Sequence, residues 1–212
     1  MAQVTVIDHP LVQDKLLRIR DEETGCEEFR DLLYGITALM AYEVTKDLAA
    51  FRHDVRTPMG TATGSTIRGA DLVVVAILRA GLGMVQPFCD LVPGARVGHL
   101  GMFRDEETLL PVQYYTKIPG GLDGSQVVIV DPMLATGGSL DLACRILRER
   151  GARDMRALSV IAARQGIRLM AERHPGVRIY TAAVDQCLNS IGYIVPGLGD
   201  AGDRQFGTFQ EE

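Results

Sequence analysis

The sequence predicts an α/β fold with a mostly parallel central sheet flanked by helices. Four short segments are continuously apolar and rich in β-branched residues, as expected for strands that are buried on both faces. The stretches between several of them have the three-and-four spacing of helices, so strands and helices alternate along the chain. The predicted strands are Leu72–Leu78, Val127–Val130, Ala157–Ala162 and Ile179–Val184.

Two helices are predicted most clearly. The first covers residues 27 to 51 and carries an apolar stripe at helical spacing, formed by Phe29, Leu32, Leu33, Ile36, Leu39, Met40 and Val44. The second covers residues 139 to 150, and Gly151 stands where such a helix is expected to stop. Because the first helix has more apolar surface than one face of a sheet needs, we expect a homodimer or a higher homo-oligomer.

Two stretches do not follow this alternation. Residues 104 to 121 are polar at one end and strand-like in the middle, which predicts a hairpin or a mobile flap, with residues 105 to 120 as the flap. Residues 61 to 66 (Thr-Ala-Thr-Gly-Ser-Thr) precede a predicted strand instead of following one. Ligands bind at the carboxyl ends of strands in open α/β sheets, so we interpret this stretch as an ordinary turn.

Composition restricts the class of protein. A chain of 212 residues that is 47% apolar predicts one domain, residues 1 to 212. The net charge of −5 argues against a dedicated nucleic-acid binder. The four cysteines form no C-x-x-C pair and are interpreted as buried free thiols. No apolar run is long enough for a membrane span, so a reduced, cytoplasmic protein without a membrane partner is expected.

The strongest functional signal follows the second predicted strand. The segment Asp131-Pro132-Met133-Leu134-Ala135-Thr136-Gly137-Gly138-Ser139 leads from that strand into a helix. Backbone N–H groups at such a turn, together with the helix dipole, favour a phosphate. The lysine of an ATP or GTP loop is absent, and the glycine spacing fails the dinucleotide pattern. Asp131 would repel a phosphate, so it is interpreted as a ligand of sugar hydroxyls or of a metal-bound water, and the two together suggest a ribose 5-phosphate.

Two further segments support this interpretation. Arg79 ends an apolar strand and precedes Gly81 and Gly83, so a planar fork of donors suited to phosphate meets backbone that a ligand can approach closely. An arginine that merely caps the sheet edge explains Arg79 about equally well. Residues 192 to 208 carry five glycines and two aspartates without helix or strand period. The stretch also contains aromatic and aliphatic side chains, and this composition is not typical of disordered segments. Such a loop can wrap a flat ring.

These three segments together resemble the uracil phosphoribosyltransferase family. The resemblance rests on Asp131 to Ser139, on Ile77 to Gly83, and on Gly192 to Asp203 with Phe206-Gly207-Thr208. Weaker matches extend from His9 to Thr181, so nearly the whole chain is covered. The tail is the specific part, because the phosphate turn is shared in outline by other phosphoribosyltransferases.

The resemblance implies a type I phosphoribosyltransferase fold with a flap and a base-binding hood, formed by residues 186 to 212. It implies conversion of uracil and 5-phospho-α-D-ribose 1-diphosphate (PRPP) to UMP and diphosphate. Mg²⁺ would be the cofactor, held mainly by substrate and water without direct protein ligands. The implied PRPP-binding residues are Arg79, Arg104, Asp131, Pro132, Met133, Leu134, Ala135, Thr136, Gly137, Gly138, Ser139 and Asp200. The implied uracil-binding residues are Ile194, Gly199, Asp200 and Ala201, and catalysis is assigned to Asp131, Arg79 and Arg104.

The resemblance suggests a cis peptide at Arg79–Ala80 and leaves open whether GTP is an effector. The stretches Val85-Gln86-Pro87 and Arg164-Gln165 depart from the family pattern. A pyrimidine-responsive RNA-binding regulator on the same fold is the main rival, but nineteen arginines and three lysines are scattered in an acidic chain. Another base specificity, purine or orotate, is the second rival, although orotate would bring its carboxylate against Asp200.

Overall fold

The computed structural model describes residues 3–104 and 111–209. Its strands are β1 (Val4–Val6), β2 (Ala50–Thr57), β3 (Gly60–Ile67), β4 (Leu72–Leu78), β5 (Arg96–Arg104), β6 (Pro111–Lys117), β7 (Gln126–Val130), β8 (Met133–Leu134), β9 (Asp154–Ala163), β10 (Arg178–Asp185), β11 (Cys187–Leu188) and β12 (Ile194–Val195). Its α-helices are α1 (Pro10–Arg20), α2 (Cys26–Val44), α3 (Val85–Leu91), α4 (Gly138–Glu149), α5 (Arg164–Arg173) and α6 (Ala201–Phe206). Short 3₁₀ turns cover Gly69–Asp71 and Ala80–Met84.

The central sheet has eight strands, seven of them in the order β1-β10-β9-β7-β4-β5-β6, with β8 paired to β9. All pairings are parallel except that of β6, which runs antiparallel to β5. The four predicted strands are β4, β7, β9 and β10, and they stand side by side in the middle of the sheet. The predicted α/β class with a mostly parallel sheet is confirmed.

Helices cover both faces of the sheet because its central strands are apolar on both sides. In β4, Val74 faces the cluster that contains α1, α2 and α3, whereas Val73 and Val75 face the cluster that contains α4. Successive side chains of a strand point to opposite faces, so one unbroken apolar run supplies both cores. This arrangement leaves the carboxyl edge of the sheet open between the two helical layers.

The first predicted helix is shorter than its apolar pattern suggested. α2 ends at Val44 and not at residue 51. Its last turn is closed by side chains from the sheet, because Gln126 Nε2 and an Arg156 guanidinium N–H both donate to the Val44 carbonyl oxygen. Thr45 Oγ1 also donates to the Ala41 carbonyl oxygen at 2.7 Å. The contacts from Gln126 and Arg156 are tertiary, and they end the helix where local sequence gives no glycine or proline signal.

The interpretation of residues 61 to 66 as a turn was wrong. They lie within β3, which pairs antiparallel with β2 in a separate two-stranded hairpin. Nearly every residue of this hairpin is exposed on both faces. Without a buried face there is no alternation of apolar and polar residues, which is the signal that normally identifies a strand.

The hairpin predicted near residues 104 to 121 is confirmed by the antiparallel pairing of β5 with β6. β5 itself was not predicted, because Gly98, His99 and Gly101 interrupt its apolar pattern. Residues 105–110 of the predicted flap and residues 210–212 of the predicted hood lie outside the described residues. Closure of the flap over a ligand therefore stays a prediction.

Four charged residues join the amino-terminal ends of the strands to the segment after α2. Arg156, which is 1% exposed, and Arg178 both donate to Asp47 and to Asp154. Partial burial alone would raise the pKa of Asp47, but hydrogen bonds from Arg178 and Arg156 outweigh it and lower that pKa to about 2. The cluster stabilises the edge of the sheet opposite the carboxyl ends of the strands.

The cysteine interpretation is correct in part. All four cysteines are unpaired, but only Cys144 is buried, and Cys187 is exposed. Burial raises the pKa of the Cys144 thiol to about 12, which makes it unreactive. In the part of the chain that the structure describes, no helix combines the length and the apolar character that a membrane crossing requires.

Candidate active site

A cleft of about 490 Å³ lies at the carboxyl ends of the central strands, where ligands bind in open α/β folds. Its lining includes the segment after β7 and the tail around β12. The predicted site residues that line it are Asp131, Met133, Leu134, Ala135, Thr136, Gly137, Ser139, Ile194 and Asp200. The structure thus brings the predicted phosphate turn and the predicted base-binding tail into one cavity.

The phosphate turn, residues 135–139, is shaped by Gly137. This residue has a φ of 88°, in the left-handed region, and is the N-cap of α4 without a side-chain capping bond. A Cβ atom on Gly137 would lie 3.0 Å from Leu169 Cδ2 and 3.1 Å from the Gly166 carbonyl oxygen. Both the backbone conformation and the lack of space therefore require glycine. The uncapped first turn of a 12-residue helix presents N–H groups, which is favourable for an anion.

Asp131 follows β7 directly and is held by the neighbouring strand. Its backbone N–H donates to the Leu158 carbonyl oxygen at 3.2 Å, and one carboxylate oxygen lies 3.5 Å from the Met133 nitrogen. The carboxylate lines the cleft beside the phosphate turn. Pro132 is buried and Gly138 does not line the cleft, so these two contribute to the backbone path between Asp131 and α4.

Arg79 lies outside the lining of the cleft. Its guanidinium contacts the tail, donating to Asp203 Oδ1 and to Thr208 Oγ1, each at 3.0 Å. The predicted cis peptide at Arg79–Ala80 was wrong by one position: the cis peptide is Leu78–Arg79. The backbone of Arg104 ends β5, and its side chain lies outside what the structure describes.

The tail is more regular than its composition suggested. Ile194 and Val195 form β12, which pairs with β11, and the bond Val195–Pro196 is cis. Gly197 and Gly199 have φ values of 66° and 75°, so the turn between β12 and α6 uses the conformations that glycine permits. The prediction of a segment without helix or strand was wrong here. With six residues in α6 and two in β12, both elements are too short to show a period in the sequence.

Asp200 is both part of the cleft and the N-cap of α6. Its Oδ1 accepts from the Asp203 N–H at 2.9 Å, and its Oδ2 accepts from the Tyr193 hydroxyl at 3.3 Å. Ile194 is buried and lines the cleft, whereas Gly199 and the fully buried Ala201 do not line it. Among the four predicted uracil-binding residues, Ile194 and Asp200 are therefore the ones whose surfaces reach the cavity.

Two arginines that the sequence did not single out hold this tail in place. Arg20 forms a bidentate ion pair with Asp185, in which both N–O distances are 2.7 Å, and it also donates to the Gly197 carbonyl oxygen. Asp185 also accepts from the Gly197 N–H. Arg204 is 9% exposed and donates to the carbonyl oxygens of Ile19 and Leu198, with its guanidinium 4.7 Å from the Phe29 ring centre.

Residues Phe103, Ser159 and Tyr193 also line the cleft and were missed by sequence reasoning. Tyr193 adjoins the recognised tail, so its position could have indicated it. Phe103 and Ser159 lie on strands whose sequence carries no functional signal. In the ranges that the structure describes, no group of three or more His, Cys, Asp and Glu side chains is placed to hold a metal ion.

The sheet, the phosphate turn after β7 and the acid that precedes it define the type I phosphoribosyltransferase class. The family model for uracil phosphoribosyltransferase matches residues 6–208. On that match, the chain belongs to the uracil phosphoribosyltransferase family.

Individual relatives agree with the family match. The uracil phosphoribosyltransferase of Dictyoglomus thermophilum is 54% identical over 205 residues, which is 97% of this chain and 99% of that protein. That of Finegoldia magna is 51% identical over 208 residues, 98% of this chain and 100% of the relative. A solved protein structure from Aquifex aeolicus is 37% identical, with a TM-score of 0.94 over 99% of this chain and 100% of that one.

Replacing Arg20 with Met tests how the tail is held. The substitution keeps the volume of the side chain but leaves the Asp185 carboxylate, 7% exposed, without its charge partner. Breaking a buried pair in this way costs about 3–5 kcal/mol. We expect a lower free energy of unfolding by that amount in urea titrations and weaker ligand binding in the cleft.

Arg153→Met is the matched control. Its pair with Asp123 is exposed, with side chains 82% and 74% accessible, so the loss should be about 1 kcal/mol or less. Equal losses for the two variants would contradict the assigned role of Arg20.

Proposed function

We propose that this protein transfers the 5-phosphoribosyl group of PRPP to uracil and releases diphosphate, forming UMP. One observation supports the proposal: the phosphate turn with Asp131 and the tail with Ile194 and Asp200 line the same cleft. A phosphorylated sugar and a flat base can therefore lie side by side between them. Membership of the uracil phosphoribosyltransferase family supports the choice of base.

In this proposal the 5-phosphate binds to the turn at residues 135–139. The N–H groups of the first turn of α4 donate to the phosphate oxygens, aided by the hydroxyls of Thr136 and Ser139. Asp131 stands at the start of the same segment and accepts hydrogen bonds from the ribose hydroxyls. Residues 132–134 fix the path between that acid and the turn, since Met133 and Leu134 are paired to β9.

The proposed chemistry is a displacement at the anomeric carbon. The bond from that carbon to diphosphate oxygen breaks, and its electron pair leaves with the diphosphate. Uracil N1 forms the new bond to the same carbon, and its proton is released to solvent. Positive charge develops on the ribose while negative charge develops on the leaving group, so the protein acts by positioning and by electrostatic stabilisation.

Arg79 and Arg104 are the proposed ligands of the diphosphate. Arg79 lies at the end of β4, is about half exposed, and contacts the side chains of Asp203 and Thr208 in the tail. Exchanging an exposed pair for a diphosphate costs little, because such pairs contribute about 0–1 kcal/mol. The contact also links the diphosphate ligand to the segment that binds the base.

The proposed base site is formed by Ile194, Gly199, Asp200 and Ala201. Ile194 supplies an apolar surface for the ring, and backbone groups of the turn supply hydrogen bonds. A backbone carbonyl and N–H groups can match the N3–H and the two carbonyl oxygens of uracil. The 4-amino group of cytosine would place a donor against a donor, so cytosine should be rejected.

Mg²⁺ fits the donor set of this cleft. Magnesium is usually held by one or two carboxylates together with substrate phosphates and water, and Asp131 and Asp200 are carboxylates in the lining. We propose that PRPP oxygens and water hold the ion and that Asp131 reaches its waters. When bound, Mg²⁺ neutralises negative charge on the diphosphate.

The proposal places the enzyme in the cytoplasm, as one domain over residues 1–212. It includes a homo-oligomer and GTP as an effector. The original reason for an oligomer, surplus apolar surface on α2, does not apply, because Phe29, Ile36 and Met40 are fully buried within this chain. The β2–β3 hairpin supplies a better reason, since an isolated two-stranded hairpin is marginally stable in water.

An assay for UMP tests the reaction. Purified protein with PRPP and Mg²⁺ should form product with uracil and not with cytosine, orotate or hypoxanthine, and a parallel series with GTP measures activation. Asp131→Asn should lower turnover by about a hundredfold while the fold is kept, because the ribose loses its positioning group. Asp123→Asn, an exposed carboxylate on a distant loop, is the control. Wild-type kinetics for Asp131→Asn would remove the ribose role.

Light scattering tests the oligomer. The wild-type protein should have the mass of a dimer or a larger assembly at micromolar concentration. Val55→Asp adds a charge to the hairpin face that carries Phe51, and should shift the mass towards that of a monomer. Thr61→Asp adds the same charge on the opposite face and serves as the control. A monomeric wild type would refute the proposal.

A further inference from the structure

A buried polar cluster lies behind the phosphate turn. Asp141, in the first turn of α4, is 4% exposed, and His174, the residue that follows α5, is 2% exposed. His174 Nε2 lies 2.8 Å from Asp141 Oδ1, and Arg173 Nη1 donates to Asp141 Oδ2 at 2.9 Å. Arg145 Nε lies 3.7 Å from the same Oδ2. One carboxylate therefore joins the beginning of α4 to the end of α5.

The other end of α5 contacts the phosphate turn itself. A Cβ atom on Gly166 would lie 2.6 Å from the Ala135 carbonyl oxygen, and one on Gly137 would lie 3.0 Å from Leu169 Cδ2. Helix α5 thus packs on the turn through its first residues and is bound to α4 through its last. Asp141 also closes the first turn of α4, since its N–H donates to the Gly137 carbonyl oxygen at 2.9 Å.

Joining two helices through buried charged groups costs free energy of desolvation. Burial by itself would raise the pKa of Asp141, and hydrogen bonds from His174 and Arg173 lower that pKa overall, so the group is an anion. An ionised carboxylate only accepts hydrogen bonds, so His174 Nε2 must carry a proton. His174 Nδ1 is then a buried ring nitrogen without a hydrogen-bond partner among the described residues. Apolar side chains of the same volume would usually join the helices at lower cost.

A second feature argues that geometry is what the cluster provides. The carboxylate of Asp141 stands one helical turn from Gly137, where a phosphate is proposed to bind, and two like charges repel each other. Repulsion from a bound phosphate would thus disfavour an acid at this position, although the N-terminal end of a helix by itself favours one. The carboxylate can, however, accept bonds in fixed directions from both Arg173 and His174, and this fixes the angle between α4 and α5.

We propose that Asp141 and His174, with Arg173, are positioning residues that hold the phosphate turn in its binding conformation through α4 and α5. They touch no substrate. The inference rests on the proposed function, because the turn is taken to bind the 5-phosphate of PRPP. Without the cluster, the first turn of α4 and the contact of Gly166 with Ala135 are free to shift, and the N–H groups no longer converge on the phosphate.

The test compares the Michaelis constants for the two substrates. Asp141→Asn and His174→Leu should each raise KM for PRPP by about tenfold or more, because small displacements of a binding group have effects of this size. KM for uracil should change by less than about twofold. If only the charge of Asp141 mattered, Asp141→Asn would remove a repulsion and lower KM for PRPP.

Two further variants separate positioning from stability. His174→Gln keeps a side-chain N–H that can reach Asp141 and should restore most of the PRPP affinity that His174→Leu loses. Asp154→Asn removes a carboxylate paired with Arg156 and Arg178 at the opposite edge of the sheet. It should lower the melting temperature without changing KM for PRPP.

Calorimetric titration with ribose 5-phosphate provides a readout that does not require turnover. Wild-type protein should bind it more tightly than Asp141→Asn or His174→Leu. Unchanged ribose 5-phosphate affinity and unchanged KM for PRPP in both variants would overturn the positioning role. If the wild type forms no UMP, the proposed function fails, whereas equal ribose 5-phosphate binding by wild type and variants overturns the positioning role alone.

Discussion

Two arginine side chains, Arg20 and Arg204, hold the tail at the cleft that it shares with the phosphate turn, and the cleft depends on that placement. Arg20 binds Asp185 at the end of β10 and the backbone of Gly197, so the turn after β12 is tied to the sheet. Arg204 donates to carbonyl oxygens at the end of α1 and within the tail. Hydrogen bonds to charged donors contribute about 1.5–3 kcal/mol each, enough to order a glycine-rich segment. Without these bonds the tail would not be held at the cleft beside the phosphate turn.

The two walls differ in how they are built. The phosphate turn follows β8, which is paired to β9, leads into α4 and is covered by α5, so its backbone is fixed on both sides by regular structure. The tail consists of a two-residue strand and a six-residue helix, fixed mainly by side-chain bonds from elsewhere in the chain. In the proposed reaction, the rigid turn would bind the large anion and the side-chain-supported tail would bind the small neutral ring. Arg79, at the end of β4 and bound to Asp203, connects the two walls.

The sequence predicted those parts whose signal is local. β4 was predicted to its exact ends because an unbroken apolar run has only one place in a parallel sheet. The position of Asp131 and the glycine turn at the cleft was predictable, because they follow a strand whose carboxyl end lies where ligands bind in open α/β folds. The end of α2 was not predictable, since it depends on bonds from Gln126 and Arg156, far away in sequence. The short α6 and the burial of Arg204 were missed because tertiary contacts, and not periodicity, decide them. The exposed hairpin was missed because it has no buried face to produce a periodic pattern.

The central claim is that the phosphate turn and the tail form a single site for a nucleoside monophosphate. A crystal structure of the protein grown with UMP tests it most directly. The account predicts the 5-phosphate on the N–H groups of residues 135–139, the ribose hydroxyls at Asp131, and the uracil ring between Ile194 and the turn at residues 197–200. A UMP molecule bound elsewhere, or one whose base lies away from the tail, would contradict the account.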